Sequence, residues 1–308
     1  MAGTEFSSTS RAAVLIPCLN EEATIETVVK SFRSALPACA IFVIDNGSTD
    51  LTREYATNAG AEVIVETERG KGNALRRAFA DIDADVYVMV DGDGTYSAEA
   101  AVRMVDLVLD GKADLVIANR SYEGQTGAER RGHLLGNRLF SSVVRTLFGL
   151  NVGDVLSGYR AMSRRFVKSM PVFSKGFEIE VEITAHASLL HAPTTSIVAP
   201  YSVRIDGSQS KLRTYRDGFR IAIQIFRIYR SYAPARFFGS LSLLSFVGAI
   251  SSHFATSRIG GSLGGAPAAL SVVGVLLFSV GVILNSQSRL QRQFLRLAYL
   301  QQGTGTLR

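Results

Sequence analysis

Along residues 12–120, short continuous apolar runs alternate with segments whose apolar positions recur every three or four residues. The runs AAVLIP (12–17), IFVID (41–45), AEVIVE (61–66), VYVMVD (86–91) and ADLVIANR (113–120) have the pattern of strands buried on both faces. Between the first two, Glu21–Leu36 carries Ile25, Val28, Val29 and Phe32 at helical spacing, and Ser48–Ala59, Gly72–Ala80 and Ala98–Leu109 continue the alternation. This rhythm predicts an α/β fold, a mostly parallel sheet with helices on both faces.

A less regular part follows. Residues 121–132 are polar and contain glycine, as a loop would, and 134–148 place Leu135, Leu139, Val143 and Leu147 four apart on a predicted helix. VGDVLSGYRAM (152–162) is a compact polar cluster, Gly176–Leu190 reads as a helix and SIVAPYSVRI (196–205) as a strand. In 211–233, Arg213, Arg216, Arg220, Gln224 and Arg227 form one helical stripe, and Phe219, Ala222, Ile223, Phe226 and Tyr229 lie opposite. An arginine-only charged face just before a membrane segment predicts an amphipathic helix at the membrane surface.

Residues 237–256 carry no charge, and 259–288 contain a longer uncharged run. Each is long enough to cross a hydrocarbon core of roughly 30 Å. Arg220, Arg227, Arg230 and Arg236 precede this pair, Arg289, Arg292 and Arg296 follow it, and the turn between carries only Arg258. Positive charge therefore places both flanks in the cytoplasm. The predicted organisation is a polar tail (1–11), an α/β domain (12–210), an interface helix (211–233), a two-helix transmembrane hairpin (236–288) and a cytoplasmic tail (289–308). MAGTEFSSTSR lacks an apolar core, so no signal peptide is expected.

Composition adds little until it is located. The net charge is +6 and hydrophobic content 47%, and much of both excesses falls in the last third of the chain. Basic residues beside membrane segments, without interleaved stacking aromatics on an exposed sheet, argue against nucleic-acid binding. Cys18 and Cys39 have no metal-like spacing and read as small buried residues in a reducing compartment.

Polar groups recur where the apolar runs stop: Asn20-Glu21, Asp45-Asn46-Gly47, Asp91-Gly92-Asp93 and Asn119-Arg120. Parallel strands deliver such residues to the carboxyl edge of the sheet, where open α/β folds bind ligands. Asp91 and Asp93 around a glycine suit a hard divalent cation that carries phosphates, or else an ordinary Asp-Gly turn. Four strand ends of this kind favour ligand chemistry.

IPCLNEEATIETVV, VIDNGSTD, ERGKGNA, VDGDGTY and SGYRAMSRRF, in this order, resemble the family 2 glycosyltransferases of the GT-A (Rossmann-like) fold. More narrowly they resemble polyprenyl-phosphate glycosyltransferases such as the dolichol-phosphate mannose synthases, whose membrane-bound branch has a similar two-helix tail. The resemblance implies a metal-dependent hexosyltransferase that moves a sugar from a nucleotide-sugar donor to polyprenyl phosphate on the cytoplasmic membrane face, for cell-envelope glycan or lipid modification. Asp91 and Asp93 would be its DxD pair, holding Mg2+ or Mn2+ on the donor diphosphate. Thr95 stands where the mannose synthases have a Gln, as a third metal ligand. Pro17, Asn20, Glu21 and Asp45 would line the pocket for the base and ribose.

Lys71 would touch the donor phosphates, or be a solvated lysine at a turn. Arg120 and Glu182 would be catalytic, Glu182 orienting sugar hydroxyls with Glu178 one turn earlier. Ser157, Arg160, Arg204, Ser210 and Lys211 would hold the acceptor phosphate, the last three with a spacing one residue longer than in the mannose synthases. The DGDGTY variant leans the donor towards a UDP-sugar over GDP-mannose. An anionic acceptor oxygen needs no strong base, which implies direct displacement with inversion.

Two other functions stand beside this one. Transfer to a glycan or lipid hydroxyl would need a base and often a Q-x-x-R-W motif; the motif is absent and the chain has no tryptophan. A non-catalytic membrane partner would be expected to lack the carboxylate pair, which is present. The sequence leaves homo-oligomerisation open.

Overall fold

The computed structural model describes residues 12–121, 142, 153–202, 223, 226–227, 229–231, 233–259 and 265–302. Strands β1 (Ala12–Cys18), β2 (Ala40–Asp45), β3 (Glu62–Val65), β4 (Val86–Met89) and β5 (Leu115–Ser121) alternate with helices α1 (Ile25–Ala35), α2 (Thr52–Asn58), α3 (Lys71–Asp81) and α4 (Glu99–Leu109). Then come β6 (Arg160–Ser163), α5 (Arg164–Lys168), α6 (Ile179–Leu190) and β7 (Thr194–Pro200). Two long helices close the chain, α7 (Pro234–Ile259) and α8 (Ala266–Gln301).

The seven strands form one sheet in the order β3-β2-β1-β4-β6-β5-β7. All pairings are parallel except those of β6, which runs against both β4 and β5. This mixed, mostly parallel sheet is the GT-A-like architecture expected. Strand β6 falls in the stretch read from sequence only as a polar cluster, because its four residues RAMS begin with an arginine that is itself buried. Its insertion separates β4 from β5 and brings the SGYR peptide in beside the carboxyl end of β4.

The core explains why the strands read as continuous apolar runs. On one face Val14, Ile16, Val43, Val88 and Val116 join Val29 and Phe32 of α1 and Met104 of α4 in one buried cluster. Leu15, Ile44, Tyr87 and Met89 alternate to the other face, and there the Tyr87 ring meets Phe79 of α3 edge-on at 6.2 Å. Burying each large apolar side chain contributes roughly 1.5–3 kcal/mol, so both faces contribute heavily to stability.

Two helices start later than the periodicity suggested, for a shared reason. The residues before them are occupied in loop hydrogen bonds: Glu21 N–H donates to Thr52 Oγ1 at 2.8 Å, and Thr49 N–H to Asn20 Oδ1 at 2.8 Å. Apart from Ser142, the predicted helix at 134–148 lies outside the described residues, as do most of the interface helix at 211–233 and the end of the strand at 196–205.

The chain divides into two compact units, Met1–Ile221 with Arg296–Arg308, and Ala222–Leu295. In the second unit Ser242 and Ser245 of α7 donate to the carbonyls of Gly274 and Leu270 on α8, each at 2.7 Å. Leu243, Leu244, Ile250 and Phe254 of α7, with Val272, Leu276, Phe278 and Ile283 of α8, are exposed. Both helices are long and apolar enough to cross a membrane. The stretch expected as a cytoplasmic tail, 289–308, is helical as far as Gln301.

Candidate functional site

The buried run of β4 and Val90 ends at Asp91. The glycine that follows is required by space: a Cβ at Gly92 would lie 2.5 Å from Cys18 Sγ. Its carbonyl accepts a 2.6 Å hydrogen bond from Thr24 Oγ1, which ties the aspartate turn to the start of α1. Asp93 is buried, and its Oδ1 accepts from Thr95 N–H at 3.2 Å and Thr95 Oγ1 at 2.6 Å. Thr95, expected as a third metal ligand, thus gives its hydroxyl proton to Asp93 and orients that carboxylate from beneath.

Asp91 is the more open of the two. Its Oδ1 accepts from Lys71 Nζ at 2.5 Å. The backbone of the SGYR peptide passes so close that a Cβ at Gly158 would sit 2.3 Å from Asp91 Oδ2. The antiparallel course of β6 creates this approach, and no sequence periodicity reports it.

Lys71, at the start of α3, is only 7% exposed and also donates to Glu180 Oε1 at 2.6 Å, with its ammonium 5.8 Å from the centre of the Phe177 ring. Burial opposes the lysine's charge, but Asp91 and Glu180 outweigh it and hold its pKa above the ordinary lysine value. Burial raises Glu180, Lys71 counters this, and the charge of Asp91 adds to the rise. Of the two readings of Lys71, the solvated turn is excluded. Glu180 was missed by sequence reasoning: in GFEIEVEI the helical pair Glu178–Glu182 drew attention to the opposite face of α6. Its Oε2 is buried without a hydrogen-bond partner among the described residues.

The two oxygens of Glu182 accept the N–H groups of Phe173 (2.8 Å) and Ser174 (2.7 Å), so it anchors the loop before α6. Arg160 is fully buried and donates to Ser157 O (3.0 Å), Val155 O (2.5 Å) and Thr184 Oγ1 (3.0 Å), fastening the loop before β6 to α6. Burial lowers its pKa to about 10 against the pull of Glu180 and Asp154. Ser157 is also fully buried, and its Oγ accepts Tyr159 N–H at 3.3 Å.

Arg120 remains in position at the end of β5. Asp154 holds it through two bonds, from Nε at 2.5 Å and Nη2 at 3.0 Å, and its guanidinium lies 5.5 Å from the Tyr201 ring centre. A bidentate carboxylate of this kind fixes the plane of the guanidinium. Asp154, in the polar cluster VGDVLSGYR, was not singled out from the sequence. Arg204, Ser210 and Lys211 lie outside the described residues.

The remaining predicted residues form the rim at β1 and β2. Asn20 adopts φ +53° and donates its N–H to Ser48 Oγ at 2.9 Å, joining the two loops, with Pro17 half-buried and Glu21 buried beside it. Asp45 is fully buried and accepts from Gly47 N–H (3.3 Å), Ser48 N–H (3.2 Å) and Arg53 Nε (2.7 Å). Its carboxylate closes the turn at the end of β2.

A divalent cation fits Asp91 and Asp93. Both are hard oxygen donors, and Asp91 Oδ2 accepts no hydrogen bond among the described residues. No cluster of three or more His, Cys, Asp or Glu suited to a metal exists among the described residues. The cation's other positions would therefore go to phosphate oxygens and water, the usual arrangement for Mg2+ on a nucleotide.

Comparisons with known proteins follow the same lines. The family model described as Glycosyl transferase family 2 matches residues 13–170. The chain is 39% identical over 233 residues to Glycosyltransferase AglJ of Haloferax volcanii, covering 75% of this chain and 76% of that protein. It is 30% identical to Polyprenol monophosphomannose synthase of Mycolicibacterium smegmatis over 61% of this chain and 77% of that one. Among solved structures, glucosyl-3-phosphoglycerate synthase from Mycobacterium tuberculosis, in complex with Mn2+, UDP-glucose and glycerol 3-phosphate, superposes with a TM-score of 0.57 at 25% identity, covering 71% of this chain and 80% of that one.

Proposed function

This chain belongs to glycosyl transferase family 2, and from that premise we propose that it transfers a sugar from a nucleotide-sugar, a UDP-sugar by preference, to polyprenyl phosphate at the cytoplasmic face of a membrane. The observation that carries the reading is the Asp91–Lys71–Glu180 bridge at the carboxyl edge of the sheet, in a chain that also has two membrane-length apolar helices. The likeness to a polyprenol monophosphomannose synthase supports the lipid acceptor, and the solved relative with Mn2+ and UDP-glucose supports the donor and a divalent cation.

In the reaction the bond between the anomeric carbon and the donor diphosphate breaks, its electron pair staying on the diphosphate. An oxygen of the acceptor phosphate forms the new bond from the opposite face, so the configuration inverts. That oxygen is already anionic at neutral pH, and no side chain has to remove a proton. Asp91 and Asp93 would hold Mg2+ or Mn2+, which supplies Lewis-acid neutralisation of the leaving diphosphate. Lys71 keeps Asp91 and Glu180 in fixed positions. Arg120, its plane set by Asp154, would meet the acceptor phosphate, and Arg204, Ser210 and Lys211, which lie outside the described residues, are proposed from the sequence as further contacts. The arginine stripe of 211–233 in the sequence supports attachment at a membrane surface, with the α/β domain (12–210) working on the cytoplasmic side.

The test is incubation of membranes containing the protein with labelled UDP- and GDP-sugars and polyprenyl phosphate. Label in an acid-labile lipid fraction supports the proposal. Label in a base-stable glycan overturns it in favour of a hydroxyl acceptor.

A further inference from the structure

Asp114 precedes β5 at the amino edge of the sheet, the edge away from Asp91, and its single buried carboxylate accepts four hydrogen bonds. Ser163 Oγ (2.5 Å) and Arg165 Nε (2.6 Å) donate to Oδ1, and Arg165 Nη2 (2.6 Å) and the Tyr299 hydroxyl (2.5 Å) donate to Oδ2. Tyr299 is 2% exposed. The guanidinium groups of Arg165 and Arg296 lie 4.8 and 5.4 Å from its ring centre, and Arg164 Nη1 donates to Gln302 Oε1 at 2.8 Å. Both sides of this cluster belong to the α/β unit, which includes Arg296–Arg308.

A solvated tail would not bury a phenol on a saturated carboxylate. Hydrogen bonds to charged groups are among the stronger ones, and the two stacked guanidinium groups add cation–π attraction. Tyr299 is also the near-terminal residue of α8, one unbroken helix from Ala266 to Gln301 whose earlier part is the second membrane-length segment. The same helix therefore begins as a membrane segment and ends as part of the catalytic fold.

We propose that Tyr299, gripped by Asp114 and Arg165, is a positioning latch that fastens the catalytic sheet to the membrane helix, so that transfer to an acceptor held in a bilayer depends on it. The inference rests on the lipid-phosphate acceptor proposed above. Tyr299 touches no reacting atom; it acts through the placement of the sheet that carries Asp91 and Arg120.

The test uses the full chain and Tyr299→Phe, which removes one oxygen and leaves the ring packed. Three readouts are compared with the wild type: amide hydrogen exchange over residues 296–302, transfer to polyprenyl phosphate in liposomes, and transfer to a short-chain polyprenyl phosphate dissolved in detergent micelles. Faster exchange is expected, with about a tenfold loss of transfer in liposomes, the size of one hydrogen bond to a charged group, and little change in micelles. Equal losses with both acceptors would reduce Tyr299 to a general structural role and overturn the latch. Unchanged exchange, or full liposome transfer despite faster exchange, would overturn it as well. A wild-type protein inactive on both acceptors would instead overturn the acceptor reading on which it rests, whatever the exchange shows.

Discussion

Lys71 Nζ lies 2.6 Å from Glu180 Oε1, a buried ion pair that joins the start of α3 to the first turn of α6. The same ammonium reaches Asp91 Oδ1, so one cation sets the spacing of two carboxylates from distant parts of the chain. Removing one partner of a buried pair costs about 3–5 kcal/mol, because the other charge is left uncompensated. Lys71→Met should therefore lower stability by that order, and Lys71→Met/Glu180→Gln by less than Lys71→Met alone. Chemical denaturation of the three proteins measures this coupling. In Glu180→Gln by itself, Lys71 loses the charge of one of its two carboxylate partners and Asp91 its fixed spacing, so kcat should fall by about tenfold or more.

Gly158 is the second point of leverage on Asp91. Gly158→Ala would bring a methyl to 2.3 Å from Asp91 Oδ2, so the carboxylate must move. The expected outcome is a cation concentration for half-maximal activity raised by about tenfold or more, with nucleotide-free thermal stability changed far less. Thr95→Val should act in the same direction from the other side, by removing the 2.6 Å donor to Asp93. Titrating activity with Mg2+ and with Mn2+ reads both variants.

Arg120, at the end of β5, and Arg160, buried at the start of β6, should separate in the laboratory. Arg160→Lys cannot reach all three of the acceptors that Arg160 now serves, and each one left unpaired and buried costs roughly 1–3 kcal/mol. It should lower the melting temperature. Arg120→Lys should leave stability nearly unchanged and raise the KM for the acceptor, because a lysine cannot keep the fork that Asp154 orients.

His186 gives a pH dependence of stability with a definite sign. It is buried in α6, bonded to Ser169 Oγ at 3.1 Å, and burial lowers its pKa to about 4. The unfolded chain binds this proton near pH 6.5 and the folded chain does not until about pH 4. Stability from this group is therefore complete above about pH 6.5 and is lost progressively as pH falls towards 4, by roughly 3 kcal/mol in all. His186→Gln should flatten that part of the profile in denaturation experiments run from pH 4 to 7.

How much of this was legible in the chain depended on the length scale of each feature. The strands at 12–18, 40–45, 86–89 and 115–121 were readable because parallel strands buried on both faces are largely apolar runs, and the edge strand at 62–65 by its β-branched run Val63-Ile64-Val65. Strand β6 was not, since four residues led by a buried arginine carry no period. Asp91 and Asp93 were readable as a pair because adjacency in sequence forces adjacency in space. Glu180 and Asp154 were not, because their partners Lys71 and Arg120 lie far away in the chain and only the closed sheet brings them together. At Arg160 and Asp45 the motif positions do not report the local bonds that these side chains make, which fasten the loops around them.

The most direct measurement is transfer of labelled sugar to polyprenyl phosphate by the wild type and by Asp91→Asn/Asp93→Asn, at equal expression and with Mg2+ or Mn2+ supplied. Cation-dependent label in the acid-labile lipid fraction of the wild type, and its loss in the double variant, is the expected result. Transfer by the double variant at the wild-type rate would contradict the assignment of Asp91 and Asp93 as the centre of the site.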